Sequence, residues 1–182
     1  MQHVILCLAL VTWAVSANVV QKRTVELPVM VDYYNVPTTL EGLLGSADAV
    51  VIARITSSRD RTTEKRPLTE HGFRLVRAFK EHPRLMPRAR VCQAIGTVEL
   101  PDRILTRYDP HFPAFTPDSE YLLFLSWDEG TECFWPKFGP SSAAAFDGAG
   151  LVKPFTSHPA LDGLKGLNGD KLGARIAAAG RK

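Results

Sequence analysis

Two apolar stretches decide the fold: AVVIARIT at residues 49–56 and YLLFLSW at residues 121–127. Both stretches are short and rich in β-branched, aromatic or large aliphatic side chains, which favours buried strands. The second stretch is apolar at almost every position, so both of its faces should be covered. We therefore expect it to be a central strand of a sheet.

Further strands are predicted on both sides of these two stretches. They lie at residues 25–32, 71–81, 89–100, 133–138, 143–146 and 149–155, the last two joined at the turn signal Asp147-Gly148. A change of parity between Leu75 and Val76 predicts a β-bulge, although residues 75, 76 and 79 would also share one face of a helix. The polar residues 57–69 are predicted to be an exposed loop or a splayed hairpin tip, and the proline-rich residues 101–118 are predicted to be a long loop.

Only two helices are predicted, so the strands do not alternate with helices. Thr38 and Glu41 form a capping box ahead of a short helix at residues 39–45. A second helix follows Asn168 or Asp170 and runs to residue 179, although a glycine within it weakens that prediction. The pattern excludes a parallel α/β sheet. It predicts a mainly β fold, a small antiparallel OB-like barrel with a short early helix and a C-terminal helix.

The first 17 residues have the pattern of a secretory signal peptide. An apolar run at residues 4–15 is too short to span a membrane and precedes Val15-Ser16-Ala17, small residues that suit signal peptidase. The alternative is a buried first strand or helix, which the polar residues from Asn18 onward argue against. We expect a barrel domain at residues 18–160, a helical tail at 161–182, secretion to the periplasm or outside the cell, and no membrane span after the signal.

Removal of the signal would leave two cysteines, Cys92 and Cys133. A lone pair of cysteines in an oxidising compartment usually forms a disulfide. The alternative is two buried free thiols. The spacing fits neither zinc binding nor a thioredoxin-like motif.

Charge is divided unevenly along the chain, although the net charge of the 182 residues is only +3. Residues 54–90 contain eleven basic and four acidic residues, a net charge of +7, whereas residues 99–132 contain eight acidic and two basic residues, a net charge of −6. The two regions could neutralise each other within one molecule or join two molecules. Alternatively, the basic region binds an anionic extracellular polymer or a protein. The candidate binding residues are Arg54, Arg74, Arg77, Lys80, Arg88 and Arg90.

The sequence contains no recognisable catalytic or metal-binding motif. It lacks a G-x-S-x-G element and closely spaced metal ligands. The histidines after the signal, His71, His82, His111 and His158, are scattered, and we expect them on the surface or in loops. No catalytic residue, metal or cofactor is therefore predicted.

Three segments carry a resemblance to a known family. They are LEGLLGSADAVVIARITS at residues 40–57, FRLVRAFKE at 73–81 and PDSEYLLFL at 117–125. Together they resemble a diffuse family of secreted bacterial domains similar to the tissue inhibitors of metalloproteinases and netrin-like modules. The resemblance implies an OB-type five-stranded barrel. Glu81 and Asp118 replace glycines of the family pattern, and the amino-terminal cysteine that those inhibitors place on zinc has no counterpart here.

These observations predict a secreted, non-enzymatic β-barrel domain that binds a protein or an envelope component. Nucleic acid is not expected as a ligand, because the net charge is small and the sequence predicts export. The alternative is a secreted hydrolase without a recognisable motif. Polar residues converging on a pocket, with a titratable group of shifted pKa, would favour that alternative.

Overall fold

The computed structural model describes residues 22–29, 35–63, 66–85 and 89–181. The predicted signal peptide lies outside these residues. Ten strands are described: β1 (Arg23–Pro28), β2 (Ala49–Thr63), β3 (Arg66–Lys80), β4 (Arg90–Gln93), β5 (Gly96–Glu99), β6 (Arg103–Tyr108), β7 (Glu120–Asp128), β8 (Cys133–Pro136), β9 (Ala143–Phe146) and β10 (Val152–Pro154). The described α-helices are α1 (Leu40–Ser46), α2 (Pro159–Asp162) and α3 (Gly169–Ala179), with one 3₁₀ turn at Gly139–Ser142. The prediction of a mainly β fold is confirmed.

The strands form two sheets. The larger sheet has the order β10-β9-β7-β2-β3-β4-β8, and β8 also pairs with β7. Within it β4 and β8 are parallel and meet at the single pair Val91 and Phe134, and its other pairings are antiparallel. The smaller sheet has the order β1-β6-β5, with β1 parallel to β6.

Strands β2 and β3 form one hairpin of 15 residues on each side. Of the two alternatives for residues 57–69, the exposed loop is wrong and the hairpin tip is confirmed, because the polar residues there pair across the hairpin, as in Arg59 with Glu70. A register shift leaves Val76 without a partner on β2, which confirms the predicted bulge. The predicted loop at 101–118 contains β6, which occupies a stretch without proline.

The larger sheet is buried on both faces where β2 pairs with β7. Val50, Ile52 and Phe124 pack on the face covered by the three helices. Val51 and Leu123 point the other way, into a second core with a cluster of aromatic rings. This alternation makes β2 and β7 the central strands of the fold, as their apolar sequences predicted.

The helices begin at polar caps. Thr39, rather than the predicted Thr38, accepts a hydrogen bond from the Gly42 N–H. Asn168, one of the two predicted starting points of the last helix, caps α3. Within the described residues, no helix is both long and apolar enough to cross a membrane.

The predicted disulfide is present. Cys92 on β4 and Cys133 at the start of β8 are bonded, with a Cα–Cα distance of 6.1 Å. Both cysteines are buried beside Leu68 and Trp135. The bond joins the same two strands that share the single backbone pairing at Val91.

Candidate functional site

The basic residues of the β2–β3 hairpin share one face of the sheet. Residues in register on antiparallel strands point to the same side, and the register pairs Arg54 with Arg74 and Arg59 with Glu70. A register shift between Ile55 and Ser57 leaves Thr56 without a partner and so puts both pairs on the same side. The bulge at Val76 shifts the parity of β3, so Arg77 lies opposite Ile52 on this same side. Arg90 of the neighbouring strand β4 pairs with Gly72 and lies on this side as well. We call the set the arginine stripe: Arg54, Arg59, Arg61, Arg74, Arg77, Lys80 and Arg90.

Three of these arginines converge on one buried carboxylate. Glu70 is 7% exposed, and its oxygens lie 3.0 Å from Arg59, 2.9 Å from Arg61 and 3.0 Å from Arg90. Burial acts to raise the pKa of Glu70, but its bonds to Arg90 and Arg61 and the nearby Arg59 outweigh burial and lower the pKa. Glu70 is therefore ionised at neutral pH, and its one charge is outnumbered three to one.

The three guanidinium groups remain open to solvent despite this contact. The side chains of Arg59, Arg61 and Arg90 are 70%, 47% and 35% exposed. Arg59 and Arg61 belong to the basic region of the sequence but are not among the predicted binding residues. Their position opposite Glu70 and Leu68 depends on the hairpin register, which the sequence does not reveal.

The remaining predicted binding residues have different surroundings. Arg54 pairs with Glu120 at 2.6 Å. Arg77 lies 4.9 Å above the Phe79 ring, and Lys80 donates to backbone carbonyls at the end of α1. Arg74 is exposed and has no ion pair within the described part of the chain. Arg88 lies outside the described residues.

The acidic region at residues 99–132 neutralises little of the charge of this stripe. Between the two regions, the described ion pairs are Arg54–Glu120 and a long contact of 3.9 Å between Arg84 and Glu129. The carboxylate that engages most of the stripe, Glu70, belongs to the basic region itself. The stripe therefore keeps a clear excess of positive charge on one face of the sheet.

A second polar site lies on the opposite side of the same hairpin. A pocket of about 380 Å³ separates the hairpin from β5, β6 and the loop that follows β6. Its polar lining includes Ser58, Asp60, Thr69, His71, Thr106 and Tyr108. The expectation of a surface or loop position is wrong for His71, because its side chain is fully buried.

Gln93 fixes the direction of the hydrogen bonds around His71. The Gln93 amide oxygen accepts from the Phe115 N–H at 2.9 Å, and its nitrogen donates to the Pro113 carbonyl at 3.1 Å. His71 Nε2, 3.0 Å from the same Gln93 oxygen, must therefore donate. Nδ1 is then unprotonated and accepts the Ser58 hydroxyl at 2.8 Å.

Burial lowers the pKa of His71 to about 4, although the hydrogen bond to Gln93 and the charge of Asp60 oppose the change. The imidazole is neutral at pH 7.

Within the described residues, no group of three or more His, Cys, Asp or Glu side chains is arranged to hold a metal ion. No family model matches the sequence, and no curated protein shows significant similarity to it.

Proposed function

We propose that this chain is an exported OB-type β-barrel domain of the kind its sequence resembles. The pairings that support a barrel run from β7 through β2, β3, β4 and β8 and return to β7. The aromatic core would fill its interior and the helices would cover its outside. The disulfide supports export, since such bonds persist in oxidising compartments such as the periplasm.

The proposed function is binding of an anionic partner, a protein or an extracellular polymer, through the arginine stripe. The observation that carries the proposal is the excess of exposed arginine around Glu70, where three guanidinium groups face one carboxylate. Guanidinium groups form paired hydrogen bonds with carboxylates, sulfates and phosphates. The face therefore offers several such donors within one patch.

Chromatography on a heparin-like resin tests this proposal. A variant with Arg59, Arg61 and Arg74 changed to Gln should elute at lower salt than the wild type, because fewer counterions are released on binding. The matched control changes Lys153, Lys165 and Lys171 to Gln, which removes the same charge from exposed positions outside the stripe. Equal losses in both variants would show that net charge alone drives retention, and the stripe would not be a site.

A hydrolase remains the second candidate, favoured by the bond between the Ser58 hydroxyl and the oriented, neutral His71. A nucleophile, a base and a group that orients the base form the arrangement that activates serine. Ser58 Oγ would attack an ester carbonyl while its proton passes to His71 Nδ1. His71 would pass this proton to the departing alcohol, which leaves the acyl group bound to Ser58. Water would then hydrolyse this acyl-enzyme, release the carboxylic acid and restore Ser58.

A fluorophosphonate probe separates this candidate from a structural hydrogen bond. Labelling of Ser58, lost in Ser58→Ala and kept in Ser57→Ala, would support a hydrolase. Ser57 is the matched control, because its partner Gly72 lies on the other face of the hairpin. Failure to label the folded wild-type protein would leave the Ser58–His71 contact a structural one.

A further inference from the structure

A groove of about 640 Å³ lies at the Lys80 end of the arginine stripe, between α1, the last residues of β3 and α3. The large apolar residues of its lining are Leu44, Phe79 and Ile176. Leu44 and Phe79 are partly buried against the helix-covered core, and Ile176 belongs to that core. The groove therefore offers an apolar surface that is fixed in place by the fold.

The rim of this groove is cationic. Arg77, Lys80 and Arg181 line it together with one carboxylate, that of Glu41. Gly173 of α3 makes the position of Arg77 possible, because a Cβ there would lie 2.7–2.9 Å from the guanidinium group. The helix thus leaves room for a cation at the point where the stripe meets the groove.

The stripe and the groove are continuous along the hairpin. Arg77 lies opposite Ile52, and Arg59 lies seven positions farther along β2. At roughly 3.3 Å per residue the separation is about 23 Å. An extended peptide of about eight residues would cover this distance.

We propose that the stripe and the groove together bind an extended acidic peptide segment with a large apolar side chain at one end. The carboxylates lie along the arginines, and the apolar side chain enters the groove between Leu44, Phe79 and Ile176. Charge complementarity and the length of the stripe select this occupant. A sulfated polysaccharide has no apolar group for the groove, and a single lipid headgroup does not extend along the stripe. This inference rests on the proposed anion-binding function.

Three fluorescein-labelled peptides of equal length test the inference by fluorescence anisotropy. The first has a run of glutamates followed by a C-terminal leucine and phenylalanine, the second has the same two apolar residues ahead of the glutamates, and the third contains glutamate alone. We expect one of the two peptides with an apolar end to bind at least tenfold more tightly than the all-glutamate peptide. Both placements of the apolar residues are used so that either direction of the bound peptide is tested.

Two alanine positions on α3 provide a matched pair of variants. Ala177 lines the groove, whereas Ala178 is exposed beside it and does not. Ala177→Glu should remove the advantage of the peptide with an apolar end, and Ala178→Glu, with the same charge and helix propensity, should keep it.

The outcomes separate the two proposals. Equal affinities for all three peptides would overturn the groove as an apolar site while leaving anion binding by the stripe in place. Equal effects of the two Ala→Glu variants would also overturn it, since charge alone would explain the loss. Failure of every peptide, together with salt-insensitive behaviour on the heparin-like resin, would refute the anion-binding function itself.

Discussion

Mild acid should destabilise this protein through one buried histidine. His71 is fully buried, and both of its ring nitrogens are engaged in hydrogen bonds. Burial lowers the pKa of His71 to about 4, against 6.5 for a histidine in an unfolded chain. Between these values the unfolded state binds more protons than the native state, so the free energy of unfolding decreases as the pH falls from 6.5 towards 4.

The size of this effect follows from the two pKa values. Each unit of difference corresponds to about 1.4 kcal/mol, so the full loss approaches about 3 kcal/mol near the native pKa. Between pH 7 and pH 5 the expected decrease is about 2 kcal/mol. The lowered pKa of Glu70 affects the free energy of unfolding in a different pH range. Its carboxylate stops stabilising the native state only as the pH falls below about 4.5.

Urea denaturation at pH 7 and pH 5 measures the effect. His71→Gln replaces the imidazole with an amide, which cannot titrate. The free energy of unfolding of this variant should therefore be almost the same at the two pH values, even if the variant is less stable than the wild type. His111→Gln is the control, because His111 is exposed and its replacement should leave the wild-type pH dependence intact. A wild-type loss below about 0.5 kcal/mol, or the same loss in His71→Gln, would refute the reasoning.

Three further predictions use the same denaturation assay. Replacing Cys92 and Cys133 by alanine should lower the free energy of unfolding by about 4 kcal/mol, because the bond joins residues 41 positions apart; a loss below about 1 kcal/mol would contradict this. Phe124→Ala should cost about 3–5 kcal/mol, because the ring is fully buried, and a nearly neutral result would place the ring outside the core. Glu70→Gln should cost about 2 kcal/mol yet tighten heparin binding, because it removes the charge that opposes three arginines; weaker retention would count against the stripe.

The sequence predicts the central strands well, because burial on both faces requires apolar residues at nearly every position. This requirement is visible in residues 49–56 and 121–127 without any knowledge of their partners. The bulge at Val76 is equally visible, since the parity of apolar residues changes at that point. With the predicted signal peptide set aside, only Cys92 and Cys133 remain, so a disulfide formed in an oxidising compartment can join only these two.

The sequence does not predict features that depend on distant partners. Residues 57–63 are polar and resemble a loop, yet they form a strand because Arg59 and Arg61 meet Glu70 across the hairpin. The burial of His71 depends on Gln93, 22 residues away, which satisfies one of its ring nitrogens. A single sequence shows such residue types but not the register that brings them together.

The disulfide turns residues 92–133 into a covalent ring that includes β5, β6 and the long segment after β6. Residues 109–119 of that ring lie outside helices and strands. A protease that cuts one peptide bond there divides the main chain but does not release either piece. The nicked molecule migrates as one species until a reductant separates the fragments. A cut in this segment therefore leaves the two pieces covalently joined, whereas a cut between α2 and α3 leaves α3 held only by its packing against the core.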